Sequence, residues 1–232
     1  MTAFASTPRR GFLARLFGTA AAIGAGSALA EPLVAAGGQQ PSSHDKWLAS
    51  LTSPHRCLFD APLHGGGLPL IHMYNYITTY RTAYGENQSA VNAVGTCYGP
   101  PGELASMPLA WNDAVWEKYK LGELLKLTDP ATKAPTKRNL FYRPRAGDPV
   151  LANGAFAVAG IENLQKLGAV FLMCNNAFMM WMGFLSGSGS KGNPAEIERD
   201  IRANLLPGVV TVPAMVIAIE KAQGAGIAYN RQ

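Results

Sequence analysis

The stretch Ala169-Val170-Phe171-Leu172-Met173-Cys174-Asn175-Asn176-Ala177-Phe178 constrains this chain more than any other. An apolar run bounded by Gly168 and by the polar Asn-Asn pair has the length of a strand covered on both faces. It ends on a thiol and opens directly into a strongly apolar helix over 175–185. A strand of that kind needs neighbours on both sides and helices above and below it, and the rest of the chain supplies them.

The order is strand, glycine turn, helix. Residues 56–60 form a short strand ended by Ala61-Pro62 and the glycine run His64-Gly65-Gly66-Gly67. A helix over 68–84 follows, with Leu70, Met73, Tyr74, Ile77 and Tyr80 recurring at three and four, and Gly85 where a C-terminal cap belongs. A second strand over 91–98 is stopped by Gly99-Pro100-Pro101-Gly102. Between 109 and 125 the tryptophans and leucines are spaced for a helix or a pair of helices broken at Gly122. Residues 128–149 contain Pro130, Pro135, Pro144 and Pro149 and read as a loop or a set of turns.

A helix over 154–167, with Phe156, Val158, Ile161, Leu164 and Leu167 as its buried stripe, leads into the strand that ends on Cys174. Beyond the apolar helix, 186–193 is a Gly/Ser linker, and Pro194-Ala195-Glu196 opens a helix running to about 205. A strand at 209–212, a helix over 214–222 and a strand at 227–229 complete the alternation. The expected fold is α/β: a small doubly wound, mostly parallel five-stranded sheet with helices on both faces.

The first residues read differently. Pro8-Arg9-Arg10-Gly11-Phe12-Leu13 is a twin-arginine pattern, followed by a short, glycine-broken apolar stretch and by Ala28-Leu29-Ala30 before Glu31. That is the form of a Tat export signal, so 1–30 is expected to be removed and the protein to reside in the periplasm. Residues 31–53 are expected to be a flexible arm, and 54–232 a single domain. Loss of Arg9, Arg10 and Arg15 with the signal lowers the formal net charge from +5 to +2. The charge balance then gives no support for a nucleic-acid partner, and no apolar run in the body of the chain is long enough for a membrane span. Export places Cys57, Cys97 and Cys174 in an oxidising compartment, where an odd number leaves a free thiol or an intermolecular bond.

Strand, Cys174-Asn175-Asn176 and helix, then Leu206-Pro207-Gly208-Val209-Val210, Val212-Pro213-Ala214 and Gly224-Ala225-Gly226-Ile227-Ala228-Tyr229, together resemble the DsrE/DsrF-like family. Phe59-Asp60-Ala61-Pro62, Ala83-Tyr84-Gly85, Val91-Asn92-Ala93-Val94 and Leu109-Ala110-Trp111-Asn112-Asp113 look like its exported branch. The resemblance covers roughly 54–229 apart from insertions near 133–145 and 186–193. It implies a homo-oligomer such as a homotrimer or homohexamer. It also implies a persulfide-carrying cysteine at the position of Cys174, served by a sulfur donor or acceptor protein.

The residues themselves make Cys174 the first candidate for chemistry. At a strand-to-helix junction its sulfur faces the unsatisfied N–H groups of the first helical turn, whose partial positive charge favours a thiolate. The alternative is a buried cysteine acting as a small hydrophobe. Loops at the carboxyl ends of parallel strands meet at one crevice, which directs His64, Tyr98, Asn175 and Asn176 towards Cys174 as substrate-binding candidates. A Cys97–Cys174 disulfide is open if the two strands are neighbours in register, and Cys57 belongs in the core. The glycine run after His64 has no G-x-S-x-G partner, and no phosphate-loop or dinucleotide fingerprint is present. Met173, Met179, Met180 and Met182, with His72 and Met73, are the residue types of a soft metal or haem site, but their spacing suits core or an oligomer face, so no metal or cofactor is assigned. Lys133, Lys137, Arg138, Arg143 and Arg145 in the proline-rich insertion suit either a solvated surface or an anion.

Overall fold

The computed structural model describes residues 43–188 and 192–232; the expected export signal over 1–30, most of the expected arm and the centre of the Gly/Ser linker lie outside the described residues. Five strands, β1 (His55–Asp60), β2 (Val91–Cys97), β3 (Val170–Cys174), β4 (Val209–Val212) and β5 (Ala228–Arg231), form one sheet in the order β4-β3-β2-β1-β5. Every pairing is parallel. The helices are α1 (Lys46–Ala49), α2 (Leu68–Thr82), α3 (Asp113–Lys118), α4 (Leu121–Leu124), α5 (Ile161–Lys166), α6 (Asn175–Gly187), α7 (Pro194–Ala203) and α8 (Met215–Gly224). None of the described helices is long and apolar enough to cross a membrane.

Because side chains alternate along a strand, the register assigns each core residue to a face. Phe59 pairs with Gly95, Gly95 with Phe171 and Cys97 with Met173. Gly95 lies under α2, where an added Cβ would meet the Phe171 ring and approach Met73 Sδ to 3.0 Å. The α2 face therefore carries Cys57, Phe59, Cys97, Phe171 and Met173. The opposite face carries Leu58, Asp60, Val94, Leu172, Cys174 and Val212, and α8 packs over it. The central strands are buried on both faces, as their unbroken apolar runs require.

The structure moves several boundaries. Within the expected arm, a 3-10 turn at Ser43–Asp45 leads into α1, and Trp47 and Leu51 are buried. These two large apolar side chains join the hydrophobic core, which outweighs the Gly/Ser/Gln-rich composition before them. The helix expected over 154–167 shrinks to α5 and a 3-10 turn at Ala157–Ala159, with Phe156 and Val158 exposed rather than in a buried stripe. Gly154 takes positive φ, and Gly160 is extended with no room for a Cβ beside Pro144, so a helix cannot run from 154 through 160. Between α3 and α4 the break falls at Lys120 (φ 51°), not at Gly122.

Gly122 is needed for another reason. It lies inside α4 against the insertion, where an added Cβ would collide with the Thr136 carbonyl oxygen and lie 2.6 Å from its nitrogen. The insertion is a run of turns, as its prolines require, yet Thr136, Asn139, Leu140, Phe141 and Asp148 are buried. The Asn139 amide donates to the carbonyls of Leu109 (3.1 Å) and Trp111 (2.8 Å), while its oxygen accepts from Phe141 N (3.0 Å).

Gly122→Ala is expected to lower unfolding stability by about 1–3 kcal/mol through this overpacking. Gly102→Ala, with open space around the new methyl, should stay within about 0.5 kcal/mol of the parent. Chemical denaturation of the two variants checks the contrast.

Candidate functional site

β3 ends where α6 begins, and Cys174 is the N-cap of that helix. Its Sγ accepts the N–H of Ala177 at 3.5 Å, in the first turn of α6, and the N–H of Met215 at 3.3 Å, the first residue of α8. The reason is the register: Cys174 pairs with Val212, three residues before Met215, so the turn out of β4 delivers the start of α8 onto the sulfur. Two helices of thirteen and ten residues thus direct their positive ends at one atom. Cys174 is 5% exposed.

The other two thiols lie on the opposite face of the sheet. Burial pushes Cys57 up to about 11 and Cys97 up to about 12, so both stay protonated near neutral pH. All three cysteines are free. Cys97 pairs with Met173 rather than with Cys174, which turns the Cys97 and Cys174 side chains to opposite faces of neighbouring strands and removes the disulfide from consideration.

His64, Tyr98, Asn175 and Asn176 all sit at the same sheet edge as Cys174 but do not converge on its sulfur. His64 lies on the α2 side with Cys97, 4% exposed. Its Nδ1 accepts from Gly66 N (3.0 Å), which leaves Nε2 as the donor to the Glu103 carbonyl (3.1 Å). Burial lowers its pKa against the raising effect of Glu103, so the imidazole is a neutral cap for the glycine turn. The pocket it lines with Cys97, Met73 and Phe171 has a volume of about 10 Å³, room for a single water. Asn175 Oδ1 accepts from Arg202 Nη2 (2.6 Å), and that guanidinium stacks 4.5 Å over Phe178. Asn176 donates its backbone N–H to Pro213 O (3.2 Å) and leaves its side chain exposed.

Tyr98 leads to a cluster absent from the sequence reading. Its hydroxyl donates to Asp60 Oδ1 (2.7 Å); Tyr229 donates to Asp60 Oδ2 (2.7 Å), and Arg231 Nη1 reaches both that oxygen and Tyr98 Oη. Asp60 is the last residue of β1 and pairs in register with Arg231 of β5. Its side chain is 2% exposed, so the carboxylate is compensated by the arginine and both phenols. The β1–β2 pairing brings Tyr98 to Asp60 and the β1–β5 pairing brings Tyr229 and Arg231, and nothing in their local sequence marks it. Asp60, Tyr98 and Cys174 share the α8 face and one sheet edge, separated by the strand spacing.

No family model matches the sequence, and no curated protein matches it. A solved structure of a protein of unknown function from Methanobacterium thermoautotrophicum is similar over 77% of this chain and 99% of its own, at 18% identity and a TM-score of 0.35.

The Tyr98 hydroxyl is pushed up to about 12, first by burial and then by its hydrogen bond to Asp60. A group whose folded pKa lies above its ordinary value of 10.0 contributes stability that is full below that value. That contribution should fade as pH rises from about 10 towards about 12. Asp60→Asn should lower the Tyr98 titration, read by phenolate absorbance against Tyr98→Phe. It should also cost about 1–3 kcal/mol of stability by weakening the bonds to a buried acceptor.

Proposed function

We propose that this chain is an exported, DsrE-like protein that handles sulfane sulfur through Cys174 in the periplasm, as a homo-oligomer serving a sulfur donor or acceptor protein. The observation that carries the reading is the pair of backbone N–H groups, from the first turns of α6 and α8, that converge on Cys174 Sγ. Such donors stabilise negative charge on sulfur, the state in which a thiol attacks and in which a persulfide is held. Burial keeps Cys57 and Cys97 protonated, which leaves Cys174 as the one thiol equipped for the task.

The step is an exchange at sulfur. The Cys174 thiolate attacks the terminal sulfur of a polysulfide, a new S–S bond forms, and the electron pair of the broken S–S bond leaves with the shortened polysulfide dianion. No external oxidant is required, because the transferred sulfur is already at the sulfane level. A terminal sulfur about 2 Å beyond Sγ needs space that the first turn of α8 now closes. A groove of about 210 Å³ lined by Trp47, Val212, Pro213, Ala214, Ile217 and Lys221 runs beside that turn without reaching Cys174, so the turn has to yield for sulfur to be loaded.

A second reading rests on the 5% exposure of Cys174: the thiol is then a structural cap for two helices, and the chain a non-catalytic oligomeric module that binds a small ligand or a metal.

Incubation of the purified protein with polysulfide, followed by intact-mass measurement, separates the two. Sulfur handling predicts a gain of one sulfur atom that is lost in Cys174→Ser and retained in the Cys57→Ser, Cys97→Ser double variant. An unmodified Cys174 under conditions where free cysteine reacts would leave the structural reading.

A further inference from the structure

The proline-rich insertion builds a cleft of its own, away from the thiol. It has a volume of about 320 Å³ and is lined by Asn112, Arg138, Asn139, Tyr142, Arg143 and Arg145, with Asp113 and Ala114 at its side. That size is at the small end of organic-ligand sites. Three guanidinium groups at one cleft are costly to collect unless each is held or used.

Arg138 is held from behind. Its Nη2 bonds Asp148, whose side chain is fully buried and whose other oxygen accepts the backbone N–H of Arg145 at 2.7 Å. Arg138 Nε is buried and has no hydrogen-bond partner; the nearest carboxylate oxygen, Asp129 Oδ2, is 3.9 Å away. Arg143 directs Nε and Nη2 to Glu162 (2.9 and 2.6 Å), lies 5.1 Å over the Tyr142 ring and also interacts with the Tyr142 side chain. Arg145 is exposed; among the described residues its side chain forms no ion pair, and the Asp129 carboxylate lies within electrostatic reach of it. Asp113, the acidic group in the lining, already accepts Asn139 N at 2.8 Å through Oδ1.

The carboxylates that balance these arginines, Asp148 and Asp129 beside Arg138 and Glu162 beside Arg143, lie outside the lining. They fix those guanidiniums in place without occupying the cleft. The cavity is lined by Arg145, by Arg143 and by Arg138, whose Nη1 also donates to the Arg143 carbonyl at 3.5 Å, together with Tyr142, the two asparagines and the Asp113 side chain. Guanidinium forks of this kind match the oxygens of a carboxylate or phosphate.

We propose that this cleft is a binding site for a small organic oxyanion, with a carboxylate or phosphate head against Arg143 and Arg145 and its body against Tyr142. The inference does not depend on the sulfur-handling reading of Cys174, and its test leaves that thiol untouched.

Calorimetric titration of the full chain at low ionic strength, with citrate and with inorganic phosphate as the two probes, tests it. Saturable one-site binding is expected for citrate, weakening as salt is raised. Binding of citrate alone assigns the site to carboxylates, and binding of both assigns it to the oxyanion head in general. Arg145→Ala should weaken citrate by about ten-fold or more, the scale of a lost charge-assisted contact, with Arg145→Lys intermediate. Arg81→Ala, an equal loss of charge on α2, should bind as the parent does. The proposal is overturned if neither probe saturates, or if Arg145→Ala and Arg81→Ala bind alike while both keep the parent's circular dichroism.

Discussion

Side-chain alternation in a sheet buried on both faces governs everything else in this molecule. Because all four pairings are parallel and in fixed register, a shift of one residue along β2 or β3 exchanges the α2 face for the α8 face. Cys174 and Met173 are adjacent in sequence, yet one meets the start of α8 while the other packs in the core. The same alternation puts Asp60 on the face where Tyr98, Tyr229 and Arg231 can reach it, and His64 on the other side among apolar side chains.

Much of the framework was legible from the residues. Short apolar runs between turn residues located all five strands, and Cys174 fell on the strand-to-helix junction where it was expected. The fold class and the helices on both faces followed from that alternation. The misplaced pieces were those that depend on distant partners. The α5 boundary depends on the positive φ of Gly154 and on Pro144 pressing against the extended Gly160. Neither leaves a periodic trace. Trp47 sits in a polar, glycine-rich stretch, so composition hides the anchor that one large side chain supplies.

For the site, the carboxyl-edge rule collected the right loops but not the right partners. It works at the level of strand ends, about 5 Å apart, whereas hydrogen bonding depends on which face each side chain takes. His64 and Asn175 are therefore engaged elsewhere, by Gly66, Glu103 and Arg202. Asp60 was visible only as the end of a strand. The insertion shows the same limit in reverse: its basic residues suggest a solvated surface, while the buried Asp148 carboxylate draws Arg138 inward and turns a run of turns into a walled cleft.

The separation of the three thiols has a consequence for the life of the folded chain. Cys57 and Cys97 share a face, but Cys57 pairs with Ala93, four residues and roughly 13 Å along the strand from Cys97. Cys174 points the other way. No two sulfurs can meet without unzipping a central strand, so the native state has no internal cross-link to gain or lose. Its architecture is indifferent to the redox poise of whichever compartment it occupies, and any oxidation of it must act on single thiols or between molecules.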